Sequence, residues 1–176
     1  MTNQDLSLFS YEILGLVGRD GAGAHDLRLM ARRGRMLDWA GESQYYVEPK
    51  RLARLGYLDA RKEPGRTRER TVYTLTDMGL EALRDYAERP VRFQPLKSDL
   101  LVRLLIADLV GEAATRESVA SLREELAELR EQVKKVEERA GILPHRAKYL
   151  LLVCGFLYGL LDLHEEFIDE VEGQLG

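Results

Sequence analysis

Three histidines, one cysteine and a set of arginines are the side chains of this 176-residue chain whose types invite chemistry. His25, His145 and His164 fall in separate segments, and none has the HExxH partner that a helix-borne zinc pair needs. Glu165 and Glu166 follow His164, but carboxylates there read as a solvated helix face. Cys154 lies in LLVCGF with no base beside it, so it reads as buried packing and not as a nucleophile. The GAGAH stretch follows a helical pattern where a phosphate loop would follow a strand, and it lacks the GxGxxG spacing. No catalytic, metal or cofactor constellation emerges, so no enzyme activity, metal or cofactor is expected.

What remains is polyanion chemistry. The net charge of −4 argues against it when taken whole. Residues 28–70, however, hold 12 Lys and Arg against 6 Asp and Glu, a net of +6, while residues 91–176 carry −5. Attraction to a polyanion follows the local field. The single cysteine excludes a disulfide framework. The start MTNQDLSLFSYEIL has no basic, cleavable leader, and the apolar run 149–161 is shorter than the roughly 20 residues of a membrane span. The expectation is a soluble, cytoplasmic protein with no membrane partner.

Three short helices must position the basic side chains. Residues 8–18 form an apolar helix closed by the glycine-rich stretch 18–23, and AHDLRLMARRGRM gives a second, with Leu27, Met30 and Ala31 at helical spacing. A third starts near Ser43 as N-cap, turns Tyr45, Leu52 and Leu55 inward, and closes at Gly56. The period then changes. Residues 57–62 and 71–76 read as two strands, with Leu58, Ala60, Tyr73 and Leu75 inward, around the turn EPGRTRER. Helix–helix–helix–hairpin with a basic tip is the pattern of a winged helix-turn-helix. Thr76 caps a further helix that ends at Pro90.

Residues 91–95 read as a linker, and 96–176 as all helical. One amphipathic helix carries Leu96, Leu100, Leu101, Leu104, Leu105 and Leu109. Val119, Leu122, Leu126, Leu129, Val133, Val136 and Ala140 then alternate by three and four residues, a coiled-coil seam in a helix over 119–140. The last helix, about 146–171, is apolar on nearly all sides between Tyr149 and Leu163, so it needs more cover than one neighbour provides. The fold class expected is mainly α with a small β-hairpin: a winged helix-turn-helix over 1–90 and a helical dimerisation domain over 96–176.

In this arrangement the third helix enters the major groove of double-stranded DNA. It presents Ser43, Gln44, Tyr46, Val47, Lys50, Arg51 and Arg54, with Gln44 suited to adenine and Lys50 or Arg51 to guanine or phosphate. Arg66, Arg68 and Arg70 at the hairpin tip reach backbone or minor groove. Two such modules on a pseudo-palindromic operator imply a homodimer. The seam residues Val119, Leu122, Leu126, Leu129, Val133 and Val136 would pair subunits together with Leu150, Val153, Leu157, Leu160 and Leu161; an antiparallel pair within one chain is the alternative. A different reading is a helical adaptor that binds a protein or membrane surface through residues 149–163.

Three stretches resemble the PadR family of winged-helix transcriptional regulators. LFSYEILGLVGRDGAGAHDL is similar to the family's opening "ilGlL…sGYeL", SQYYVEPKRLARLGYL to "SqiYpeLkrLeeeGlv", and RTRERTVYTLTDMGLEAL to "grprkvYrLTeaGreal". The acidic C-terminal helices resemble the dimerisation domain of longer members. His25 stands where the family has Tyr, and Pro49 where it has Leu. Proline within a helix predicts either a start later than Ser43 or a kink between Tyr46 and Lys50. The resemblance implies a repressor released by a small aromatic effector. Trp39, Tyr149, Phe156, Tyr158 and His164 are the candidate lining residues for that ligand.

Overall fold

The computed structural model describes residues 6–33, 40–64 and 69–175, which separate into two compact units divided at residues 92 and 93. In the first unit, α1 (Leu8–Val17) is started by a reciprocal cap. The Ser7 hydroxyl accepts from the Ser10 amide, and the Ser10 hydroxyl accepts from the Ser7 amide. α2 (Ala24–Arg33) and α3 (Gln44–Arg54) follow, then strands β2 (Leu58–Glu63) and β3 (Arg70–Leu75), and α4 (Asp77–Glu88). A two-residue strand, β1 (Ala22–Gly23), precedes α2 and makes the hairpin a three-stranded antiparallel sheet of order β1-β3-β2. The register sets Ala22 opposite Tyr73, and Leu58 opposite Leu75.

The core of this unit is the inward face of each element. Ile13 and Leu14 from α1, Leu27 from α2 and Leu52 from α3 have no exposed surface, and Tyr45, Leu58 and Tyr73 close around them. Tyr45 meets Phe9 edge to face with ring centroids 5.1 Å apart, and Tyr11 stacks on Tyr86 of α4 at 4.1 Å. Two inward assignments are corrected. Leu55 is 39% exposed because α3 has already turned past the core, and Ala60 is exposed on β2. Gly56 ends α3 in the left-handed region (φ 87°), with the Tyr57 amide bonded to the Leu52 carbonyl and the Gly56 amide to Ala53. Thr76 then joins two elements: its hydroxyl donates to the Gly56 carbonyl (2.7 Å) and accepts from the Gly79 amide at the start of α4.

The second unit contains α5 (Asp99–Leu105), α6 (Ala107–Val110), α7 (Glu112–Ala120), α8 (Leu122–Ala140) and α9 (Pro144–Gln174). Two expected helices are each divided. The amphipathic stretch breaks at Ile106 (φ −110°, ψ 5°), and the seam helix breaks at Ser121, whose hydroxyl bonds back to the Ser118 carbonyl instead of capping α8. Pro144 opens α9 at the position where a missing amide costs nothing.

α8 packs along α9 of the same chain. Val119, Leu126, Val133 and Ala140 are 1–4% exposed, as are Cys154 and Leu161, while Leu157 is 5% exposed. One flank of the heptad pattern is thus filled within the chain, as in the antiparallel alternative. Leu122, Leu129, Val136, Leu150 and Leu160 are half-buried, and Val153 is 40% exposed. Ion pairs repeat at heptad spacing beside the seam. Arg123 joins Asp169 and Glu172, and Arg130 joins Asp162 (2.6 Å) and Glu165 (3.1 Å). The Tyr158 hydroxyl donates to Glu137. By length and composition alone α9 is apolar enough to cross a membrane.

Candidate nucleic-acid interface

α3 is held by its inner side and by the helix that precedes it. Arg28 of α2 pairs with Glu42 at 2.6 Å, just before α3 begins. The backbone at Ser43 is already helical (φ −61°, ψ −28°) and its hydroxyl makes no cap, so the expected N-cap role is not taken. The helix runs without interruption through Pro49, whose ring is fully buried. The helix therefore begins at Gln44, with no start delayed to the proline. Apolar burial of the ring offsets the lost hydrogen bond.

The outer side of α3 carries Ser43, Gln44, Val47, Lys50 and Arg54, all exposed, with Tyr46 half-buried. Among the described residues Lys50 and Arg54 form no ion pair. A helix with unpaired cations on its solvent face is a means of meeting phosphates or base edges.

Arg51 is placed differently. Its Nε donates to Glu48 Oε2 and its Nη2 to Glu48 Oε1, both at 2.9 Å, and Nη2 also reaches the Ser10 hydroxyl at 3.2 Å. Ser10, fully buried on α1, donates to Glu48 Oε1 at 2.7 Å. Glu48 is 7% exposed. Burial by itself pushes the Glu48 carboxyl up, but hydrogen bonds from Arg51 and Ser10 and the guanidinium charge outweigh it and hold the group below the ordinary glutamate value. The arginine expected to reach DNA instead neutralises a buried carboxylate and fastens α3 to α1. Glu48 and Ser10 were not foreseen as a pair with it. The signals were present: an acid three residues before an arginine in a basic helix, and a serine inside an apolar one.

At the hairpin, Arg70 lies 3.2 Å from Asp26 and 3.8 Å from Glu63, so its charge is locally compensated. Arg66 and Arg68 lie outside the described residues, as does Trp39. Arg61, exposed on β2, extends the basic surface beyond the residues that the sequence singled out.

The other expected ligand residues do not converge. Tyr149 and Phe156 are 65% and 72% exposed on α9, and Tyr158 is held by Glu137. His164 borders a cleft of about 220 Å³, with Leu96, Ser98, Leu100, Leu101, Leu160, Leu163 and Phe167. Its Nδ1 lies 2.7 Å from the Leu160 carbonyl, so in the neutral ring Nδ1 donates and Nε2 is left as an acceptor.

Residues 96–175 match the virulence activator alpha C-terminal family. No curated protein matches the chain. Among solved structures, a PadR-like transcriptional regulator from Bacillus cereus is 16% identical with a TM-score of 0.75, covering 98% of this chain and 100% of its own. Bacillus subtilis PadR in complex with operator DNA is 18% identical with a TM-score of 0.71, covering 94% and 99%; the same protein has also been solved with p-coumaric acid. The Vibrio cholerae virulence activator AphA is 20% identical with a TM-score of 0.72, covering 94% and 96%. The chain has the fold of the PadR-like transcriptional regulators over nearly its whole length, with a C-terminal segment matching the virulence activator alpha C-terminal family.

Proposed function

We propose that this protein is a transcription regulator that binds double-stranded DNA as a homodimer, with α3 in the major groove. The observation that carries the reading is the outer row of α3: Gln44, Lys50 and Arg54 are exposed on a helix whose opposite face is locked into the core. That Bacillus subtilis PadR, with the same fold, has been solved on operator DNA supports it. Lys50 and Arg54 contact phosphate or guanine, Gln44 contacts adenine, and Arg61 with the hairpin arginines Arg66 and Arg68 meets the backbone.

Pairing of two protomers falls to apolar residues that one chain leaves uncovered. Leu152, Phe156 and Leu163 of α9 are 59–72% exposed, as is Tyr149 before them at 65%. A dimer sets two α3 helices on a dyad-related operator. Repression released by a small aromatic effector is the regulatory mode, and the cleft at His164 offers the ligand mostly apolar walls, with His164 and Ser98 as its polar residues.

Fluorescence anisotropy with a duplex selected by the protein from a random-sequence pool tests the reading. Saturable binding that weakens steeply with salt, at two protomers per duplex, is the expected result. Failure to enrich any duplex, or salt-insensitive binding, contradicts it. The exposed face of α9 supports a second reading, an adaptor for another protein surface. A monomeric solution mass favours that reading over the regulator.

A further inference from the structure

The outer row of α3 includes a residue that polyanion binding does not account for. Val47 is 56% exposed, three residues from Gln44 on one side and from Lys50 on the other. The helix has no freedom to roll and cover it. Tyr45 and Leu52 are 1% and 0% exposed on the opposite side, Pro49 is buried, and the Glu48 carboxylate is bonded to Ser10 and Arg51. A rotation that sheltered Val47 would bring Leu52 into water and break the bonds of a buried charge, both costly.

A single exposed valine on an ordinary surface needs no explanation. This one sits in the first half of a helix whose N-terminal residues face base edges in the proposed complex. In the major groove the one apolar group on any base edge is the C5 methyl of thymine. The neighbouring chemistry narrows the choice further. Arg51, whose guanidinium has the fork geometry for guanine, is committed through Nε and Nη2 to Glu48.

We propose that Val47 is a specificity-determining residue that selects a thymine in each half-site by packing its methyl groups against the thymine methyl. The Ser10–Glu48–Arg51 cluster fixes the helix rotation that keeps Val47 outward. This rests on the DNA-binding reading above. The test replaces thymine by deoxyuridine, one position at a time, in the duplex that the wild-type protein selects. The exchange removes one methyl and leaves every hydrogen-bonding group in place.

Wild-type protein should lose affinity about fourfold at one position in each half-site, the worth of one buried methyl. Val47→Ala should bind the thymine duplex more weakly and show no further loss on the uridine duplex. Its Tm should equal that of wild type, because the side chain lies outside the core. Uridine exchange without effect at every position, or with equal effect on wild type and Val47→Ala, overturns the assignment and leaves salt-dependent DNA binding intact. Absence of salt-dependent binding to any duplex overturns both.

Discussion

In the N-terminal unit, α1, α2, α3 and the sheet bury Ile13, Leu14, Leu27 and Leu52 completely, and the exposed side of α3 is mostly polar. In the C-terminal unit no residue of α5 or α6 is buried; Leu105 and Leu109 are 80% and 79% exposed, and α9 leaves Leu152 and Phe156 to solvent. Both units are built largely from helices with an apolar side. Amphipathicity thus decides which residues seek cover, not where the cover comes from. The first unit supplies its own, and the second is satisfied along α8 and unsatisfied elsewhere. An unsatisfied apolar face is the mark of an interface, which is why self-association is proposed for the second unit.

Substitutions test this contrast between a self-sufficient unit and an uncovered one. Leu14→Ala empties a fully buried site, and denaturant unfolding should show a loss of about 2–5 kcal/mol, whereas Leu109→Ala should leave the midpoint unchanged. Phe156→Asp should convert a dimer into a folded monomer in a solution-mass measurement. Burying one phenylalanine is worth about 1.5–3 kcal/mol, and a two-fold interface loses it twice.

Glu48→Gln should cost about 1–3 kcal/mol by weakening the bonds to Arg51 and Ser10, and it also changes the pH profile. The Glu48 carboxyl is held below the ordinary value of 4.5, so its contribution is present in full above that value and is lost as pH falls through the folded-state value. Acid unfolding followed by circular dichroism should therefore show a shallower loss of stability below about pH 4.5 for Glu48→Gln than for wild type. Arg130→Gln, which removes largely exposed pairs with Asp162 and Glu165, should change stability by less than about 1 kcal/mol.

The order of helices and strands in the first unit was legible because local signals agree. Thr76 caps α4, Gly56 closes α3, and Leu58 and Tyr73 fall where alternation puts them. β1 was not legible, since two residues are too few to show a period. The breaks at Ile106 and Ser121 carry no proline or glycine that would mark them in the sequence. Heptad spacing in Val119–Ala140 showed that a helix must be covered but not that α9 covers it. In the candidate site, Gln44, Lys50 and Arg54 could be placed outward from periodicity alone. Arg51 could not, because the residue that claims it, Glu48, is buried only once α1 brings Ser10 alongside.

If the exposed cations Lys50 and Arg54 of α3 meet the DNA backbone or bases while Arg51 serves the fold, the salt dependence of operator binding must reveal it. Wild type and Lys50→Ala/Arg54→Ala would be compared by anisotropy between about 50 and 200 mM salt. The double variant should bind more weakly at an unchanged Tm. Its slope should be shallower by roughly 0.9 for each phosphate that a protomer no longer neutralises. Equal affinity and an equal slope for the two proteins would contradict this division of roles.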